Sequence, residues 1–488
     1  MPLHSLPAIR TFGPLVLTGA LLLGATTAAG QVGAGAGASS MLNLTTSSAA
    51  ARMHALAGLD DINNAFFPRG AMHLKQALAL DPDVGVVRVL YASVAPGLTD
   101  AERNAEMDRG VVDAAKASPR ELIFAAGLRE SFQGRFAQAK PILESAVTLM
   151  PADANVAYAA AFAALNAAPS AGEGLQAIRH VTEAFPDSPA AYNTLAYTLW
   201  ATGDKAGALE AVQNYVARLP GHPNPHDSYA ELLQWSGRYE EATLHYQKAA
   251  ELDPDFAEAA MGLAEVSQLQ GRGAQARAYI SQAMQHAPSI DVRLFYQRGK
   301  AGSYLIEGNV KAAMVEWSEI AGAARTNGLA DLEALAHEQM AAIDGLLGDG
   351  KSVSAHLADA AVTGDGNAVR RQTWSALALA GARPTGDADQ AVDRGLTAAE
   401  GNDNALRRLH AIRGLILLNA GKPADGMAEA AQADPADQLA RAVSALCAAK
   451  SGQTATARAL RDQVLGEKVF ALTDPSDAIA RAMVRKIT

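Results

Sequence analysis

Cysteine is almost absent from this sequence of 488 residues. Cys447 is the only one, so the chain can form no intrachain disulfide and lacks the ligands for a cysteine-rich zinc site or an iron–sulfur cluster. The residues around Cys447 have the apolar spacing of a helix. We therefore expect a small buried side chain at this position and not a reactive thiol.

Aromatic and basic residues are also scarce. Only 5% of the residues are aromatic. About one residue in five is alanine, a composition that favours closely packed helices over β-sheets. Lys and Arg together number 41 against 51 Asp and Glu, which gives a net charge of -10 at pH 7. This acidic balance argues against nucleic-acid binding, which needs clustered basic side chains.

No hydrophobic run reaches the length of a membrane span. The apolar stretch at 15–25 is shorter than the roughly 20 residues that cross a bilayer. It follows Arg10 and precedes small residues, so residues 1–30 are interpreted as a signal peptide for export, with an uncleaved N-terminal membrane anchor as the alternative. The protein is therefore expected to be periplasmic or secreted. Residues 31–50, rich in Gly, Ala, Ser and Thr, are expected to form a flexible linker.

A period of 34 residues dominates the middle of the chain. Gly203, Gly237 and Gly271 are spaced by this step, and each interval holds an apolar helical segment, a turn and a second helical segment. On the second segment, an Ala, a larger residue four positions later and a third residue three positions beyond share one helix face. These sets are Ala139/Leu143/Ala146, Ala208/Val212/Tyr215, Ala242/Tyr246/Ala249 and Ala276/Ile280/Ala283. Each repeat ends at a proline, which cannot continue a helix. These closing prolines are Pro151, Pro186, Pro220, Pro254 and Pro288.

This pattern resembles the tetratricopeptide repeat family. The match lies in the sets and prolines just named and in small residues of the first helices, Gly127, Ala196, Ala230 and Ala264. The resemblance implies an all-α fold, an α-α superhelix (solenoid) of stacked helical hairpins. We expect a regular array of about five repeats over 120–288, degenerate hairpins over 51–119, and irregular hairpins over 289–488 that end in a capping helix with one polar face.

The sequence contains no motif that predicts catalysis. His337 begins a zinc-protease pattern, but Ala341 stands where the second histidine is needed. His222 and His226 are separated by prolines, so a metal site there is also not expected. We therefore predict a protein that is not an enzyme and that has neither a metal nor a cofactor. An enzyme with an unrecognised catalytic site is the less favoured alternative.

The resemblance also implies that the first helix of each repeat lines a concave groove. Asn193, Tyr197 and Trp200 share one helix stripe, so the groove is predicted to be aromatic in its middle and acidic toward 227–265. Such a surface suits a protein or peptide with basic and apolar residues. In the alternative interpretation, Trp200 and Trp235 pack between repeats and the acids are merely solvated. The candidate groove residues are Phe124, Leu128, Asn193, Tyr197, Trp200, Asp227, Glu231, Gln234, Trp235, Glu258, Met261 and Glu265.

Taken together, these features predict a non-enzymatic exported scaffold that binds a protein partner. An accessory or regulatory subunit of an envelope transport, secretion or polysaccharide complex is the alternative. The sequence leaves open the partner's identity, the oligomeric state and whether the chain's own tether occupies the groove.

Overall fold

A computed structural model describes residues 44–95, 98–168, 170–363, 368–382, 386–399, 403–433, 437–468, 471–485 and 487. The predicted signal peptide at 1–30 and the linker up to residue 43 lie outside the described residues. The described part of the chain contains 25 α-helices and no strand, which confirms the all-α prediction. None of these helices is both long and apolar enough to cross a membrane.

The chain divides into two compact units, Met1–Ala259 and Ala260–Thr488. The helices of the first unit are α1 Ala49–Asn63, α2 Phe67–Leu80, α3 Gly85–Val94, α4 Asp100–Ala117, α5 Pro119–Phe132, α6 Phe136–Leu149, α7 Ala154–Ala167, α8 Ala171–Ala184, α9 Pro189–Thr202, α10 Lys205–Arg218, α11 Pro223–Ser236 and α12 Tyr239–Leu252.

The boundary between the units falls within α13, Ala257–Leu269. The second unit continues with α14 Gly273–Gln285, α15 Ile290–Glu307, α16 Val310–Thr326, α17 Ala330–Leu347, α18 Gly350–Thr363, α19 Ala368–Gly381, α20 Gly386–Ala398, α21 Asp403–Asn419, α22 Pro423–Ala430, α23 Gln438–Lys450, α24 Thr454–Gly466 and α25 Pro475–Val484.

Consecutive helices pair into hairpins in both units. In the first unit, α5 packs against α6, α9 against α10 and α11 against α12. In the second, α15 packs against α16, α17 against α18 and α21 against α22. Within each unit, successive hairpins also contact each other, as α10 contacts α11 and α16 contacts α17. This stacking buries an apolar face that a single hairpin would leave in water.

The second helices contribute the residues that fill these hairpins. All four predicted sets are buried, with Ala139, Leu143, Val212, Tyr215 and Ile280 fully inaccessible to solvent. The same spacing recurs in α16, where Ala313, Trp317 and Ile320 are buried. The face that these residues share on each of these second helices therefore enters the core. Alanine at the first position lets the paired helices approach closely.

Among the described residues, the turns of most hairpins contain one residue in the left-handed region. Gly237 has φ of 81° and follows α11, where its N–H donates to the Gln234 carbonyl and the Arg238 N–H donates to the Leu233 carbonyl. These bonds satisfy carbonyl groups that the end of a helix leaves unpaired, and glycine adopts this conformation without a Cβ clash. Ala65, with φ of 62°, takes the same place between α1 and α2.

The final helix differs from the prediction of a capping helix with one polar face. Residues 475–481 of α25 are all buried. The helix contacts α23 and α24, and it also packs against the first helices α15 and α17 of the same unit. It therefore covers the first-helix surface of the second unit, in addition to closing its last hairpin.

Candidate binding surface

Equivalent polar residues of α9 and α11 form a small surface in the first unit. Asp227 follows Asn193 by one repeat of 34 residues, and Glu231 follows Tyr197 by the same step. The Tyr197 hydroxyl donates to Glu231 Oε2 at 2.6 Å, which joins the two repeats. Burial, with the nearby charge of Glu231, raises the pKa of Tyr197 well above its usual value, so this hydroxyl remains a donor.

The polar members of this surface remain partly accessible. The side chains of Asn193, Asp227 and Glu231 are half-buried. We name these three residues the acidic ladder, because Asn193 and Asp227 occupy equivalent positions of successive repeats, Glu231 follows Asp227 by one helical turn, and two of the three are carboxylates. The ladder can accept hydrogen bonds from cationic side chains at the surface, and such charge-assisted bonds are stronger than neutral ones.

The prediction that the groove presents exposed aromatic rings is wrong. Tyr197, Trp200 and Trp235 are only 5%, 6% and 5% exposed. The ring centroids of Trp200 and Trp235 lie 5.4 Å apart, and those of Tyr197 and Trp235 lie 5.9 Å apart. Lys205 Nζ covers the Trp200 ring at 3.7 Å from its centroid. The rings thus fill the contact between neighbouring hairpins, as the alternative interpretation of the sequence held for the two tryptophans.

Four other predicted groove residues also belong to the interior, whereas one does not. Phe124 and Leu128 of α5 lie in the core of the first unit, at 1% and 6% exposure. Gln234 is fully buried and accepts a hydrogen bond from the Tyr246 hydroxyl at 3.1 Å. Glu258 is exposed. In the second unit, Met261 is buried.

A loop near the N-terminal end of the described chain packs onto the first unit. The Tyr215 hydroxyl donates to Asn64 Oδ1 at 3.1 Å and accepts from Asn224 Nδ2 at 3.0 Å. The ring of Phe66 meets the edge of His222 with 5.2 Å between centroids. The turn between α1 and α2 therefore lies against the junction between α10 and α11.

In the second unit, a segment near the C-terminus occupies the corresponding first-helix surface. Leu472 N–H donates to Glu265 Oε1 at 3.2 Å, and Arg298 donates to the Thr473 carbonyl at 2.9 Å. Gly302 permits this approach, because a Cβ there would lie 2.2 Å from the Leu472 carbonyl oxygen. Glu265, a predicted groove residue, is thus bound by the chain itself. The acidic ladder of the first unit is consequently the better candidate for an external partner.

The structure also brings together histidines that the sequence analysis treated singly. His222 caps α11 by accepting from the Asn224 N–H, and burial lowers its pKa to about 4. His226 does not join it, and pairs instead with His245 at 3.0 Å between their Nδ1 atoms. His337 faces His356 in the same way. Sequence reasoning missed these pairs, although their constant spacing of 19 residues is a signal that could have revealed them.

The buried position predicted for Cys447 is confirmed. Its side chain is inaccessible to solvent and lies in the core of the second unit. Burial raises the pKa of the thiol to about 11. Very little of it is therefore ionised near neutral pH, as expected of an unreactive core residue.

Comparisons with known proteins agree with this architecture. Residues 236–298 match the family model described as tetratricopeptide repeat. No curated protein matches the sequence at a significant level. The family match shows that residues 236–298 are similar to tetratricopeptide repeats, and the helical hairpins of the described residues are of the same kind.

Three solved structures illustrate the similarity. The TTC0263 protein, a thermophilic tetratricopeptide-repeat protein in Thermus thermophilus, is 21% identical, with 36% of this chain and 96% of that chain covered and a TM-score of 0.32. YrrB, a tetratricopeptide-repeat protein with an unusual peptide-binding site, is 16% identical, with 38% and 95% covered and a TM-score of 0.29. PilW, a type IV pilus biogenesis factor, is 16% identical, with 41% and 91% covered and a TM-score of 0.35.

Proposed function

We propose that this protein is a non-enzymatic scaffold that binds a protein partner through the acidic ladder of its first unit. The observation that carries the proposal is the pair of carboxylates on α11, Asp227 and Glu231, both half-buried and one of them held by Tyr197. A partner segment with Lys or Arg residues supplies the complementary charge. The repeat architecture supports this role, because stacked hairpins create extended surfaces on which a partner can lie.

Electrostatics determines what kind of partner fits. A carboxylate that is already positioned by a hydrogen bond loses less entropy when a cation binds than a freely rotating one does. The rings of Trp200 and Trp235, predicted as apolar anchors, pack against each other. They therefore contribute little to the area that a partner can contact. Binding should therefore weaken as salt is added, since screening acts on exposed charge pairs.

Site-specific photocrosslinking tests this proposal. A photoreactive amino acid at Asn193 should form a discrete adduct with one partner in cells, whereas the same probe at Glu210, an exposed position on α10, should not. The variant Asp227→Asn/Glu231→Gln should abolish the Asn193 adduct. Its matched control, Glu183→Gln/Glu210→Gln, removes two exposed charges elsewhere and should retain the adduct.

The result can also contradict the proposal. An Asn193 adduct of undiminished yield in the ladder variant would show that the carboxylates do not bind the partner. Equal loss in both double variants would show that net charge, and not the ladder, matters. Mass spectrometry of the adduct identifies the partner. Loss of one specific envelope assembly on deleting the protein would favour an accessory subunit over a general scaffold.

We also propose that the protein is exported. Export is supported by the apolar stretch at 15–25 and the small residues that follow it, which have the length and order of a signal peptide. Amino-terminal sequencing of the purified native protein tests it. Export with cleavage predicts a mature chain that begins near residues 29–31, whereas a soluble cytosolic chain that begins at Met1 would contradict it.

A further inference from the structure

Histidine pairs recur at one register of the helical hairpins. In three hairpins, a histidine of the first helix faces a histidine of the second helix 19 residues later, with the two Nδ1 atoms close together. The first histidine stands 11 residues before the left-handed residue of the turn, which is Ala65, Gly237 or Gly348. The pairs and their Nδ1–Nδ1 distances are His54/His73 at 3.1 Å, His226/His245 at 3.0 Å and His337/His356 at 3.4 Å.

The residue three positions after the second histidine distinguishes these pairs. It is Gln76 in the first hairpin, Lys248 in the second and Asp359 in the third. Residues three apart lie on the same face of a helix, so this residue lies beside the second histidine of its pair. Asp359 Oδ2 lies 3.8 Å from His337 Nδ1, and one ligand atom from each of His337, His356 and Asp359 falls within 4.8 Å of the others.

We propose that His337, His356 and Asp359 bind a divalent transition-metal ion of the Zn²⁺ class. Two imidazole nitrogens and one carboxylate oxygen supply three ligands, which leaves one position of a tetrahedral ion for another group. Imidazole and carboxylate are ligands that Zn²⁺ accepts, and three protein ligands leave one position for water or a partner group. The site joins α17 to α18 within one hairpin.

The distances fit this ion. A tetrahedral ion with Zn–N bonds of about 2.0–2.1 Å places its two nitrogen ligands about 3.3–3.4 Å apart. His337 Nδ1 and His356 Nδ1 are 3.4 Å apart, whereas the other two pairs are at hydrogen-bonding separations of 3.0–3.1 Å. Asp359 must move by a few tenths of an ångström, and its side chain is 59% exposed.

A second carboxylate supports the donor atom of His356. Asp344, itself buried, has Oδ2 at 3.5 Å from His356 Nε2. A carboxylate on the far nitrogen of a histidine fixes its tautomer and leaves the other nitrogen to bind the metal. The His337 side chain is 8% exposed, so its ring is enclosed by protein. His356 is 23% exposed, so the ion can enter from the solvent side.

Calorimetric titration of the full chain with Zn²⁺ tests the site. The chain is prepared without a histidine tag and is first stripped of metal with a chelator. We expect one equivalent of Zn²⁺ to bind strongly to the chain. Co²⁺ bound in its place should show the visible absorption of a tetrahedral complex. His356→Ala should abolish this equivalent, and Asp359→Asn, a change of an exposed side chain that leaves folding intact, should weaken it at least about tenfold.

The second hairpin provides the matched control. His245→Ala removes one histidine from a pair of the same register that has Lys248 in place of the acid, and it should leave the strong equivalent unchanged. The absence of binding to the unaltered chain would overturn the proposal. Unchanged affinity in both His356→Ala and Asp359→Asn, or equal loss in His245→Ala, would overturn it as well.

Discussion

The rings of Tyr197, Trp200 and Trp235 show how a single residue's surroundings determine its role. Trp200 and Trp235 contact each other, and Lys205 covers the outer side of the Trp200 ring. Large aromatic side chains lose much apolar area to burial and dominate the energy of the interfaces that they fill. At this scale the tryptophans stabilise the stack of hairpins, and the half-buried polar side chains beside them stay partly accessible to a partner.

We predict that Trp200→Ala lowers the free energy of unfolding by about 3–5 kcal/mol, because it leaves a large cavity between hairpins. Urea denaturation followed by circular dichroism measures the change. Leu244→Ala is the control, since Leu244 is 65% exposed and its truncation should change stability by less than about 0.5 kcal/mol. An unchanged denaturation midpoint in the tryptophan variant would instead favour an exposed binding role for that ring.

At the scale of elements, helix–helix distance depends on small residues at the crossing points. Gly345 of α17 and Gly381 of α19 face each other so closely that a Cβ on Gly345 would lie 2.3 Å from the Ala378 carbonyl oxygen. The nearest atom is a backbone atom, which cannot move aside as the end of a flexible side chain can. Gly322 of α16 is a helical glycine with open space around its Cβ position.

We predict opposite effects of alanine at these two glycines. Gly345→Ala should destabilise the fold by about 1–3 kcal/mol, since the two helices must separate to admit the methyl group. Gly322→Ala should stabilise it by about 0.5–1 kcal/mol through its higher helix propensity. Thermal unfolding of both variants beside the unaltered chain measures the difference. If both changes stabilise the protein, the close approach of α17 and α19 is not required.

At the scale of the whole molecule, most packing joins neighbouring hairpins, and a few segments make contacts distant in sequence. The α1–α2 turn reaches Tyr215 in the first unit, and α25 reaches α15 and α17 in the second. An array held by neighbour contacts alone can open from its ends. In the first unit these contacts join the α1–α2 turn to Tyr215, and in the second they join α25 to α15 and α17. They should make each unit unfold more cooperatively.

The single thiol reports on this property. We predict that Cys447 reacts with Ellman's reagent at pH 8 only as fast as its unit opens, because the thiol is buried and its pKa is about 11. In guanidinium the same thiol should react at once. Truncation before residue 471 removes α25 and should accelerate labelling in the absence of denaturant. Rapid labelling of the intact chain would show that the core around Cys447 is open.

The sequence by itself determined the repeating unit. The 34-residue period, the Ala-plus-large-residue sets of the second helices and the turn glycines are local patterns, and local patterns suffice to predict helices, turns and the buried face of a hairpin. For this reason the all-α fold, the burial of the Ala208/Val212/Tyr215 set and that of Cys447 were predictable.

Only the tertiary structure decided which residues remain at the surface. The angle between successive hairpins brings Trp200 against Trp235, and residues 471–484 fold back across first helices far away in sequence. Likewise, His337, His356 and Asp359 meet because two helices pack in one register. Such contacts depend on the packing of the complete chain. The free energy that favours them comes from apolar surface buried by many elements together, so it cannot be predicted from a short stretch of sequence.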